Sequence, residues 1–128
     1  MNATKLLCGT TFTLIAIFGT GAHADDMLKI APHNTRVLFE NDRIRVLETM
    51  TKPGEKLPMH SHPARVNYFL NPLSERITYE GKPPQDFNWK AGEVAFSDAV
   101  KLEVENIGTT AGHNIVVELK DSKNVIAH

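Results

Sequence analysis

Between Arg36 and Leu119 apolar and polar residues alternate with a period of two, in short runs that turn-forming residues interrupt before any reaches helical length. This pattern predicts strands over residues 36–39, 44–50, 57–62, 65–70, 76–79, 86–89, 94–97, 102–106 and 114–119. Asn41-Asp42, Pro53-Gly54, Asn71-Pro72, Gly81-Lys82-Pro83-Pro84, Ala91-Gly92 and Gly108-Thr109-Thr110 separate them. No window carries a helical period with caps. About nine short strands in one small unit predict an all-β antiparallel sandwich or barrel, which closes or covers its own edges. Residues 25–35, with Pro32 and His33, read as an arm leading into the first strand at 36, and residues 36–128 as the folded domain.

The first 24 residues have another character. Lys5 precedes an apolar stretch, 6–18, that ends near Ala22-His23-Ala24, the layout of a cleaved export signal with Asp25 as the mature start. Diluted by Gly9 and three threonines, that stretch is too short for a bilayer core, which takes about 20 residues. The expected product is periplasmic or secreted, with no membrane attachment. Cys8 leaves with the leader, so no disulfide can hold the mature fold, and its stability is expected to come from an apolar core, to which a metal or a second subunit can add. Discounting Lys5 leaves 13 Lys and Arg against 15 Asp and Glu, a net charge of −2, which excludes a nucleic-acid partner by electrostatics and gives no membrane-surface patch.

Candidate chemistry centres on His60-Ser61-His62. On a strand, residues two apart point to one face, so the two imidazoles stand together as half of a transition-metal site. Histidines that are simply polar strand residues have the same spacing. Arg65, Asn67 and Phe69 share one face of the next strand, and Tyr79, Phe87 and Trp89 lie on neighbouring strands; aromatic walls with a few polar groups suit a small-ligand pocket. Arg65 carries a planar fork suited to a carboxylate or phosphate. His113 has the parity of Ile115, Val117 and Leu119, and Glu48 that of Val46 and Met50, so both are expected on the inward, apolar face, His113 as a possible further metal ligand.

These residues resemble the small single-domain cupins, whose fold is a double-stranded β-helix or jelly-roll barrel. Gly54, His60 and His62 match the first cupin motif, while its Glu position falls on Val66 or Asn67. Gly92-Glu93 and Asn106 match the second motif, whose His position holds Leu102. The resemblance implies a four-ligand metal site of which this chain keeps two, hence a divalent metal held weakly at His60 and His62. The expected function is small-molecule binding in the barrel. A metal-dependent cupin enzyme, or a non-catalytic module that forms a homodimer through a sheet edge, are the alternatives.

Overall fold

In the computed structural model, which describes residues 25–120, nine strands form two antiparallel sheets. The expected leader, residues 1–24, lies outside the described residues. The strands are β1 (Thr35–Glu40), β2 (Ile44–Thr51), β3 (Lys56–His62), β4 (Arg65–Phe69), β5 (Leu73–Tyr79), β6 (Gln85–Trp89), β7 (Val94–Ser97), β8 (Val100–Asn106) and β9 (Gly112–Leu119). One sheet runs β1-β2-β9-β4-β7 and the other β3-β8-β5-β6, the crossed order of a jelly roll. All nine predicted strands are present, and the all-β jelly-roll expectation holds. Gly54 and Gly92, at φ of 80° and 86°, supply the left-handed turn positions that the motif glycines imply.

The arm is part of the core. One turn of helix, α1 (Met27–Ile30), starts at Asp26, whose side chain accepts the Leu28 N–H at 3.0 Å. Four residues are too few for a helical period to register, so the sequence reading missed it. Met27 and Ala31 pack on Leu57 of β3, with Val104 of β8 against them.

Proline shapes β3. Pro58 has no N–H to give to β8, and there the strand bulges, so that Pro58 and Met59 together oppose Glu103. The extra residue puts both Leu57 and His60 inward, and His62 follows.

The interior is more polar than apolar. Among the described residues 12 polar or charged side chains are buried against 10 hydrophobic ones. Burying polar groups costs free energy unless something satisfies them, so such an interior serves a site rather than stability alone. Apart from Leu47, Phe69 and Val116, which are buried, many apolar side chains of the five-stranded sheet lie on its outer face. Phe39, Val46, Val117, Val66 and Phe96 make one cross-strand row on its outer face, with Phe39 and Phe96 53% and 62% exposed.

The same inversion corrects two residues. On β2 the inward face carries Arg45, Leu47, Thr49 and Thr51, and on β9 Gly112, Asn114, Val116 and Glu118. Glu48 and His113 are on the outer face, where His113 Nε2 lies 3.1 Å from Glu48 Oε2 and Arg36 donates to Glu48 Oε1 at 2.8 Å. Those partners hold the Glu48 carboxyl below its usual range, His113 contributing most. His113 is therefore not positioned beside His60 and His62.

Candidate functional site

A cavity of about 50 Å³ opens between the sheets, with His60, His62, Arg65, Asn67, Leu102 and Asn114 among its lining residues. β3 supplies the histidines, β4 contributes Arg65 and Asn67, β8 brings Leu102, β9 adds Asn114, and α1 contributes Met27. The two sequence-predicted histidines and two of the six predicted ligand residues meet here.

Both imidazoles are oriented by their Nδ1 atoms. His60 Nδ1 is 2.7 Å from the Pro58 carbonyl oxygen, which only accepts, so the proton is on Nδ1 and the Nε2 lone pair is free. The bulge thus places the carbonyl that sets this tautomer. His62 Nδ1 lies 2.7 Å from Glu118 Oε1. The rings meet edge to face with centroids 4.9 Å apart. Burial lowers the pKa of both: it pushes His62 down to about 4 against the pull of Glu118, and His60 is lowered for the same reason, the Arg65 charge adding to each. Both are neutral at pH 7.

Glu118, 1% exposed, is the hub that the sequence reading missed. It stands directly across from Arg45 on one side and Arg65 on the other. Arg45 Nε donates to its Oε2 at 2.7 Å, and Arg45 Nη2 donates to Asp26 Oδ2 at 2.5 Å, which ties the arm to the barrel. With Oε2 on Arg45 and Oε1 on His62, Glu118 makes no bond to Arg65. The one signal was the recurrence of polar residues at alternate positions, Arg45, Thr49, Thr51 and Asn114, Glu118, within strands whose other face is apolar.

Arg65 is 9% exposed, and its guanidinium makes no hydrogen bond or ion pair with any described residue. Burial depresses its pKa below the ordinary arginine value. Among the described residues four buried side-chain atoms lack a hydrogen-bond partner, and three of them, Arg65 Nη1, Asn67 Oδ1 and Asn114 Oδ1, belong to residues that line this cavity.

The aromatic residues sit elsewhere. Phe69 stacks on Trp89 at 4.4 Å, and Trp89 stacks on Phe87 at 5.7 Å, forming a packed pile beside the cavity rather than its wall. Trp89 touches the site indirectly, donating Nε1–H to Glu75 Oε1 at 2.8 Å. Burial raises the pKa of that cavity carboxyl, and the Trp89 bond opposes the rise. Tyr79 pairs across from Leu102 at the end of β5 and does not line the cavity either.

The donor set does not fit the full metal site that the motifs imply. Two Nε2 atoms are available, but Leu102, 1% exposed and paired with His60, fills a ligand position with methyl groups. Asn67 offers an amide, the cavity carboxylate Glu75 is engaged with Trp89 and Glu118, beside His62, with Arg45 and His62, and the Arg65 cation opposes a second cation. Leu102→His with Asn67→Glu should therefore raise zinc, nickel or manganese affinity of metal-stripped protein at least tenfold by calorimetry, and His60→Ala should erase the gain. Loss of Leu102 packing should cost about 1–3 kcal/mol. Unchanged affinity with an intact fold would mean that position 102 does not face the histidines.

No protein-family model matches the sequence, and no curated protein does. Solved structures do match. A cupin domain from Bordetella pertussis Tohama I is 19% identical, with 68% of this chain and 92% of that one covered at a TM-score of 0.63. An RmlC-like cupin with a double-stranded β-helix fold from Methanocaldococcus jannaschii is 21% identical over 66% and 77% of the two chains, at 0.55. A DMSP lyase from Ruegeria pomeroyi is 18% identical over 72% and 50%, at 0.52. Two sheets in crossed order, motif glycines at their turns and an inward histidine pair agree with these likenesses: this chain has the cupin fold.

Proposed function

We propose that the protein is an exported binding protein that takes a small polar ligand into the barrel cavity. The observation that carries this reading is the convergence of Arg65 Nη1, Asn67 Oδ1 and Asn114 Oδ1, buried and without partners, on one cavity beside two tautomer-fixed imidazoles. An unsatisfied buried polar group costs about 1–3 kcal/mol, and a bound ligand is what returns that free energy. The cavity volume suits a molecule of only a few non-hydrogen atoms, on a scale where one water needs roughly 10–15 Å³. A divalent metal at His60 and His62 is held weakly, as two imidazoles facing an arginine require. Catalysis of the metal-dependent kind needs donors that this cavity gives to other partners.

The test uses labelled protein recovered from the periplasm, whose intact mass should begin at Asp25. Titration with small polar compounds should shift the side-chain signals of His60, His62, Asn67 and Asn114 saturably, while those of His113 on the outer face stay still. A panel that leaves the cavity signals unmoved, or that shifts His113 alone, overturns the reading.

A further inference from the structure

The cavity is asymmetric in its hydrogen-bond chemistry. Arg65 brings five N–H donors in a planar fork, with no acceptor among the described residues. The nearest carboxylate along the sheet, Glu118, is committed to Arg45 and His62, and Glu75 to Trp89. The remaining wall is rich in acceptors: the lone pair of His60 Nε2, Asn67 Oδ1 and Asn114 Oδ1. A complementary molecule needs a planar anion at one end and a neutral O–H donor at the other, within a volume of about 50 Å³. We infer that the occupant is a short-chain hydroxycarboxylate, its carboxylate held bidentate on Arg65 and its hydroxyl donated to the asparagine and imidazole acceptors, with no metal between.

This rests on the pocket reading and goes further in one respect: Arg65 supplies the positive charge that a metal would bring to such a barrel. Inorganic phosphate suits the fork equally, but its dianion, with two oxygens on Arg65, sets a third anionic oxygen against the acceptor wall, so phosphate stands among the controls.

The experiment titrates metal-stripped protein, in the presence of chelator, with glycolate and lactate, and with acetate, ethylene glycol and inorganic phosphate as controls. Glycolate or lactate should bind at least tenfold tighter than acetate, which lacks the hydroxyl, and ethylene glycol, which lacks the carboxylate, should fail to saturate. Arg65→Met should lose glycolate binding while melting no lower than the parent, because it removes an unpaired buried cation. Arg65→Lys, which keeps the charge without the fork, should weaken binding at least tenfold and covers the case in which Arg65→Met misfolds. Saturable binding of ethylene glycol with no response to either acid would leave the pocket reading standing and overturn the hydroxycarboxylate. So would tighter binding of phosphate, binding that appears only when a divalent ion is added, or retention of glycolate by Arg65→Lys. Cavity signals unmoved by all five compounds and by the wider panel would overturn both.

Discussion

Arg45→Met should destabilise the protein by about 3–5 kcal/mol at pH 7, the largest effect expected of any single substitution here, because it strands two buried carboxylates without their cation. Asp26 and Glu118 are 6% and 1% exposed, and both bond the same guanidinium. Methionine keeps most of the arginine volume, so the loss is electrostatic and not a cavity effect. The arm should loosen as well, since Asp26 also caps α1 and Met27 behind it lines the site. Adding Asp26→Asn and Glu118→Gln should recover much of the loss, as neutral replacements of buried ion networks commonly do. Urea denaturation with the slope checked for constancy measures both. A loss under about 1 kcal/mol would mean that the three groups are solvated and not joined as a buried network.

Acid should weaken the fold through His62. Its pKa is 6.5 ordinarily and about 4 when folded, burial being the cause. Between those values the unfolded chain takes up the proton and the native protein does not. Stability from this group is therefore complete above pH 6.5, falls as pH drops, and is gone below about 4, a total near 3 kcal/mol. His60, lowered by burial too, acts in the same direction. Glu75, whose pKa burial raises, acts oppositely at the acid end. His62→Gln keeps an N–H donor for Glu118 and cannot titrate, so the comparison removes the Glu75 contribution. The gap between parent and variant should narrow from pH 7 to pH 4. Parallel stability profiles would show that His62 is charged or solvated in the native state.

The strands were legible because alternation and turn chemistry are local. A period of two between Asn, Gly and Pro clusters needs no knowledge of the rest of the chain, and it located all nine strands. His60 and His62 were readable as a pair for the same reason, as was the shared inward face of Arg65 and Asn67. The bulge at Pro58 left the pair intact while shifting Leu57 to the same side. The aromatic pile was read as a pocket wall because sequence gives each residue's face but not how deep it sits. Stacking on Phe69 holds Trp89 away from the cavity and leaves Glu75 there in its place.

By itself the sequence determined the nine strands, an all-β sandwich or barrel and the identity of the histidine pair, and the resemblance of its motifs implied the jelly-roll class. Tertiary structure decided which way β2 and β9 face. Alternation sets a period and not a direction, and the usual guide, apolar side inward, fails where the interior is a polar site and the apolar side chains cover the outer surface of a sheet. Reversing that one assumption moves Glu48 and His113 out and brings Arg45 and Glu118 in. The network that orients His62 and leaves Arg65 unpaired joins residues far apart along the chain, Asp26, Arg45, His62 and Glu118, and only the packing of two sheets and an arm brings them together.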